Sequence, residues 1–392
     1  MTRWFAVWCG AAISALAGPV RADVTYRAAV IRVDAPGPLP ISRLDLKPED
    51  FGFAGARLAT ADNATTGVFT GQTFETEMVA ATPQTAQAEM AGLLDAGITF
   101  VVTLADAATT VALADQADGR ALVVNALATD DVLRGADCRA NLLHVTPSDA
   151  MRADALAQYL VWKRWFDWYL ISGSHPEDQA LAEAYRRAAT KFGASIVEER
   201  VYEDTGGARR TDTGHVLVQA QIPVFTQRAP KHDVVVAADH AGVFADYLPY
   251  HTWDARPVTG SAGLIPESWT PAMEAWGATQ WQNRFEAQAG RLAQEADFQT
   301  WVALRVLGEA ATRTGGGDAA AVRDFILSDR FELGAFKGQK LTFRDWDGQL
   351  RQPVLLAADN VVVSVSPQDG FLHQVSTLDT LGIDRNETEC RK

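Results

Sequence analysis

The sequence predicts an α/β protein of two lobes, each built on a mostly parallel sheet wound on both faces. From residue 24 onward, short apolar β-rich runs alternate with longer helical patterns, which is how a parallel sheet covered on both sides is written. The chain beyond residue 22, roughly 370 residues, exceeds the ~250–300 at which a single hydrophobic core stops growing. A cleft shared between two lobes follows as an expectation.

The first 22 residues stand apart. Arg3 gives a short positive region, residues 4–16 an apolar run, and Val20-Arg21-Ala22 a small-residue cleavage site ahead of Asp23, the layout of an export signal. Its run of about a dozen apolar residues falls short of the roughly 20 that span a bilayer, and no later segment comes closer. The mature protein is therefore expected outside the cytoplasm and not membrane-spanning. Cys9, deep in that run behind Trp8, sits in a poor context for acylation.

Strands are predicted at residues 26–33, 73–79, 100–103, 121–125, 168–172, 195–202, 234–238 and 257–259, where β-branched and apolar residues cluster between turn formers. Helices fill the intervals at 52–62, 85–96, 151–165 and 177–192, the last closed by Gly193. Residues 203–232 are mixed and carry no clear pattern. The pattern then changes: helices at 276–291, 298–312 and 319–327, with glycines at 315–317, precede strands at 341–344, 354–357 and 361–365, and Asp345-Trp346-Asp347-Gly348 reads as a hairpin turn.

Removing residues 1–22 takes Arg3 and Arg21 from 35 basic residues against 49 acidic ones, a net charge of about −16. Nucleic acid is thereby excluded as a natural partner. Two cysteines remain, Cys138 and Cys390, and an even pair in an oxidising compartment reads as one disulfide tying the tail to the first lobe; the alternative is two unpaired thiols.

No nucleophile elbow, phosphate-binding glycine loop followed by lysine, or complete G-x-G-x-x-G is present. Gly52-Phe53-Ala54-Gly55 is a fragment of the last, better explained as the first turn of a helix. The seven histidines show no ligand spacing and there is no C-x-x-C, so structural zinc is not expected. Asp345-Trp346-Asp347-Gly348 lacks the later oxygens of a calcium loop. Trp162, Trp165 and Trp168 are explained by packing, whereas Trp253 and Trp269, with Tyr247, Tyr250 and His251, flank the expected passage between lobes and are better binding candidates.

Gly55-Ala56-Arg57-Leu58-Ala59 with Asp62-Asn63-Ala64, the stretch AGLLDAGITFVV at 91–102, Thr109, and the strand ending at Asn125 with Ala128-Thr129 behind it resemble type I periplasmic solute-binding proteins of the leucine/isoleucine/valine-binding class. His144-Val145-Thr146-Pro147-Ser148-Asp149 is similar to that family's first passage into its second lobe. Residues 149–163, 191–199 and 237–269 look closest to the substrate-binding proteins of ABC transporters associated with PQQ-dependent alcohol dehydrogenase systems.

The resemblance implies a Venus flytrap: lobe one from residues 23–145 and 265–335, lobe two from 146–264 and 336–392, joined by three crossings. Carried over by position, the pocket takes Asp106, Ala107, Ala108, Thr109, Leu127, Ala128 and Thr129 from lobe one. Lobe two supplies Glu177, Asp239, His240 and residues 260–263 with Ser261, and Trp253 stands near the passage. In amino-acid binders of this class the matching loops hold the ligand's carboxylate and ammonium with hydroxyls and backbone groups. Here Asp106 stands at the first serine-like position and Glu177 where an aromatic is usual, so an ordinary branched-chain amino acid fits poorly.

Asp106, Asp130, Asp131, Glu177, Asp178 and Asp239 make the expected cleft acidic. If three or more face inward, mutual repulsion favours a cation or metal-containing ligand; the other reading is helix capping, which Asp130-Asp131 ahead of Val132-Leu133 suits. Asp239-His240, at the carboxyl end of the buried-type strand Val234-Val235-Val236-Ala237-Ala238, is the most informative pair. Two functions follow: a transport receptor that closes on a small molecule or ion and docks on an ABC permease in the inner membrane, without a cofactor, or a periplasmic accessory or sensor protein of a quinoprotein dehydrogenase. An enzyme ranks third, since no nucleophile–base arrangement can be named.

Overall fold

The computed structural model describes residues 24–35, 46–205, 217–316 and 318–391. The expected export signal and Gly317 lie outside these residues. The first lobe begins with β1 (Val24–Val33), α1 (Phe53–Thr70), β2 (Gln72–Ala81), α2 (Ala86–Asp95), β3 (Phe100–Leu104), α3 (Ala107–Gln116), β4 (Leu122–Asn125) and β5 (Leu142–His144). Its strands are all parallel, in the order β2-β1-β3-β4-β5. Because side chains alternate across a strand, the sheet feeds two cores: Val30, Val102 and Val124 on one face, Ile31, Val101 and Val123 on the other.

The second lobe repeats the plan with α4 (Asp149–Trp162), β6 (Asp167–Gly173), α5 (Pro176–Phe192), β7 (Ser195–Tyr202), α6 (Val218–Phe225), β8 (Val234–Ala238), α7 (Leu248–His251) and β9 (Val258–Gly260). These strands are also parallel, in the order β7-β6-β8-β9. Leu170 and Val236 point to one core and Ile171 and Val235 to the other. The helix over Val218–Phe225, with Pro223 inside it, accounts for part of the stretch the pattern left unassigned.

The chain then adds β10 (Ile265–Glu267), α8 (Ala278–Ala289), α9 (Glu295–Thr314), α10 (Ala319–Ile326), β11 (Leu333–Gly334), β12 (Lys340–Phe343), β13 (Leu350–Arg351), β14 (Val354–Ala358) and β15 (Val361–Ser366). Helix α9 lies against α1, where a Cβ on Gly55 would stand 1.9 Å from the carbonyl oxygen of Asp297. The glycine of the incomplete dinucleotide motif is thus a helix-contact residue. Trp269 stacks on Phe298 with ring centroids 4.3 Å apart and meets Trp281 edge-on, filling the first core with aromatic area.

Several local readings differ from the structure. Helix α1 continues past residue 62 to Thr70, because Asn63 and Gly67, small or polar and invisible to an apolar period, lie on its buried side; Asn63 donates to the carbonyl of Leu304 at 2.9 Å. Helix α8 starts at Ala278, since Trp276 (φ 54°) and Gly277 (φ 82°) break the helical path before it. Strand β5 was not anticipated: three residues carry too little pattern to be read.

The main chain passes between the cores three times: after Val145 to Met151, between Leu264 and Trp269, and near Leu350–Val354. We assign the third passage there, later than the boundary at 336 expected above, because Leu341, Phe343 and Leu350 pack into the first core while Val354, Leu356 and Leu381 pack into the second. The passages are tied together. Gln349 donates to the carbonyl of Thr146 at 3.0 Å, buried Arg134 donates to Gln349 at 2.9 Å and to Thr146 at 2.9 Å, and β10 pairs antiparallel with β14. Beyond β15 the tail docks on the second lobe, where Lys191 donates to the carbonyls of Thr380 and Gly382. Eight residues further on, Cys390 is joined to Cys138 of the first lobe (S–S 2.05 Å).

Candidate functional site

Between the lobes lies a cleft of about 750 Å³, outside the carboxyl ends of β3 and β4 on one side and of β8 and β9 on the other. That is where doubly wound sheets place ligands, and the volume suits a small molecule. Its walls are largely apolar: Ala105, Ala126 and Leu127 from lobe one, Leu181 and Tyr185 from α5 in lobe two, and Pro266 at the base. Gly260 closes in beside β8, where a Cβ would meet the carbonyl of Ala237 at 2.3 Å.

Of the residues expected in the pocket, Asp106, Ala107, Leu127, Ala128 and Thr129 line it from lobe one, and Glu177, His240 and Ser261 from lobe two. Ala108, Thr109, Asp239 and Trp253 are not among its lining residues. Thr109 instead gives its amide (2.8 Å) and hydroxyl (3.1 Å) to the carboxylate of Asp106, which is the N-cap of α3. Asp239 is 5 % exposed and turned inward, accepting from the amides of Val243 (2.8 Å), Phe244 (2.7 Å) and Ala245 (2.7 Å). Trp253 is 59 % exposed and its amide donates to Thr226, while Trp269 is sealed in the first core. Of the trio read as packed, Trp168 is buried with its indole donating to the carbonyl of Trp165, whereas Trp162 is 57 % exposed and packing does not account for it.

Of the six acids read from the sequence, three serve only as caps, and Asp106 caps α3 while also lining the cleft. Asp131 accepts from the amide of Ala150 at the start of α4, Asp178 from the amides of His175 and Ala241, and Asp239 from the three just named, so these three are structural caps. Asp106, Asp130 and Glu177 face the cleft. Among the described residues no group of three or more His, Cys, Asp or Glu side chains could hold a metal ion. The metal-ion form of the acidic-cleft idea therefore lacks a donor set.

Sequence reasoning missed the base of the cleft. Asp149 and Arg152, three residues apart on α4 and so on one face of it, line the cavity together with Glu295 and Gln299 of α9. Arg152 bridges the lobes: it donates to Glu295 at 2.7 Å and to the carbonyl of Pro266 at 3.0 Å, while Glu295 also accepts the amide of Ser268 at 2.6 Å. Behind this pair, burial and the neighbouring Glu295 push the Glu267 carboxyl up to about 8. Burial pulls the Lys337 ammonium down to about 7; it donates to the carbonyl of Ser268 and lies over the Phe298 ring. Burial, with Asp149 nearby, raises Asp131 to about 6. The only sequence hint to this cluster was the Asp149/Arg152 spacing at a helix start.

Two parallel sheets facing each other across an interlobe cleft, over three tied crossings, define a two-lobed solute-binding protein. Residues 52–359 match the periplasmic binding protein family, and the chain belongs to it. As a member it is a binding protein and not an enzyme, and the family is periplasmic. Among solved structures, a periplasmic binding protein from Burkholderia mallei superposes with a TM-score of 0.68 at 15% identity, over 94% of this chain and 99% of that one. A branched-chain amino acid ABC transporter periplasmic ligand-binding protein from Burkholderia xenovorans gives 0.67 at 15% identity, over 87% and 95%. A solute-binding protein of an ABC transporter from R. palustris, in complex with benzoate, gives 0.65 at 13%, over 94% and 100%. At such identities the likeness shows the fold. Comparison with curated proteins finds no match. No helix among the described residues is long and apolar enough to cross a membrane.

Proposed function

We propose that the chain is the substrate-binding component of an ABC transporter, closing its lobes on a small solute and presenting the closed form to a permease in the inner membrane. The observation that carries this is the largely apolar cleft at the strand ends of two sheets whose connections form a single tied hinge. A micromolar ligand supplies roughly 8 kcal/mol, and a ~10⁴-fold preference for the closed form turns a mostly open population into a closed one. The test is small-angle scattering with and without a solute found by thermal shift. Ligand binding should shrink the radius of gyration; a bound protein of unchanged dimensions would refute the reading.

Two finer points belong to the same proposal. Residues 1–22 are taken as a cleaved signal, so exported protein should begin at Asp23 by mass spectrometry. The link to PQQ-dependent alcohol dehydrogenase systems rests on the resemblance of residues 149–163, 191–199 and 237–269, and loss of the gene should then impair growth on alcohols while leaving growth on sugars intact.

A further inference from the structure

The carboxylates that line the cleft are Asp106, Asp130, Asp149, Glu177 and Glu295, against one guanidinium, Arg152, and the imidazole of His240. Arg152 and Glu295 neutralise each other at 2.7 Å, which leaves four acids facing the cavity. A ligand carboxylate entering this field meets like charge.

Apart from the Arg152 Nε, which is buried without a hydrogen-bond partner among the described residues, it finds the nearby helix starts already capped. Helix starts bind anions through their free amides, and those of α3, α4 and α5 around this cleft each carry a cap from the protein's own side chains. The start of α3 is taken by Asp106, that of α4 by Ser148 (3.3 Å, to Met151) and Asp131 (3.1 Å, to Ala150), and that of α5 by Asp178 with His175. The turn after β8 is closed by Asp239.

A second, independent observation shows what the base of the cleft lacks. Tyr185 is 2 % exposed, lines the cavity within electrostatic range of Asp149 and Arg152, and its hydroxyl has no hydrogen-bond partner among the described residues. Gln299, 1 % exposed and also lining the cavity, donates from Nε2 to the Ser268 hydroxyl, which leaves its Oε1 without a partner. A buried acceptor left unmet, as the Gln299 Oε1 is, is costly to keep. An ammonium, with three donors and no acceptor, is the group that answers an unmet amide oxygen, a phenol and a carboxylate at once. Tyr185 is the one Phe, Tyr or Trp ring among the described lining residues, too few for the cage that quaternary ammonium groups require.

Building on the solute-receptor reading above, we propose that the cleft takes an organic cation: a protonated primary amine on a compact apolar body, without a carboxylate. The ammonium sits at the base by Asp149, Tyr185 and Gln299, and the apolar body lies against Ala105, Ala126 and Leu181.

A matched series tests this on the wild-type protein: 3-methylbutylamine, leucine, 4-methylpentanoate and 3-methylbutanol, titrated by calorimetry at low and at 0.5 M salt, with scattering on each mixture. The amine should bind at least tenfold more tightly than any of the other three, with affinity falling in salt. Asp149→Asn should lower amine affinity at least tenfold and Tyr185→Phe several-fold, each keeping the wild-type circular dichroism; should either variant misfold, the probe series decides alone. Leucine or 4-methylpentanoate binding as tightly as the amine, or no binding of the amine, overturns the assignment. If leucine binds and closes the lobes, the receptor reading survives and the amine class falls; if the amine binds without closure, the class survives and the receptor reading falls.

Discussion

Asp106 and Asp239 occupy matching places in the two lobes, each just past the carboxyl end of an inner strand, β3 in one sheet and β8 in the other, and they do different work. Asp106 is exposed, caps the amide and hydroxyl of a single residue, and lines the cleft. Asp239 is buried and spends both oxygens on three amides of a tight turn. Position at a strand end thus nominates a residue, but the number of backbone donors within reach decides whether it serves the ligand or the fold. Lobe two presents Glu177 and His240 to the cleft in its place.

The comparison is sharpest where the expected effect is largest. Asp239→Ala strands three buried amides and should cost at least about 3 kcal/mol, read as a fall in the denaturation midpoint. A small loss together with abolished ligand binding would reverse the roles assigned to the two acids. Replacing Cys138 and Cys390 with serine should cost about 2–4 kcal/mol by the same measurement, since the bond closes a loop of 252 residues.

The hinge between the lobes offers a test in pH. Native Glu267 holds its proton to about 8, whereas the unfolded chain releases it near the ordinary value of 4.5. Between those values the native state binds more protons, so stability should decline as pH rises through that window. Lys337, lowered to about 7 from 10.5, acts in the opposite sense above 7. Glu267→Gln should flatten the decline between about pH 4.5 and 7 by on the order of 2 kcal/mol, measured as thermal midpoint against pH. Asp106→Ala, losing one N-cap, should cost only about 1 kcal/mol and should improve affinity for 4-methylpentanoate by freeing the start of α3. Trp253→Ala, outside the cleft, should change stability by less than about 0.5 kcal/mol and leave ligand affinity unchanged.

The parallel sheets were legible because strands such as Val234-Val235-Val236-Ala237-Ala238 are apolar on both faces, and only a covered sheet accepts that. The cleft loops followed, since strand ends are known once strands are. The base of the cleft did not follow: Arg152 and Glu295 lie 143 residues apart, and each by itself reads as an ordinary first-turn helix residue. Tyr185 looked like one more apolar position on α5. The division of the acids into caps and cleft residues was equally hidden, because a cap is defined by amides that the chain brings back from elsewhere, such as Ala241 to Asp178.

The tail rests on lobe two at Thr380 and Gly382 and is bonded to lobe one at Cys390. It works as a check strap across the jaws, a fourth tether added to the three main-chain passages and present only once the thiols have been oxidised. How far the jaws can gape is then set by the reach of residues 383–389, so a reducing environment would widen the gape before it unfolded either half.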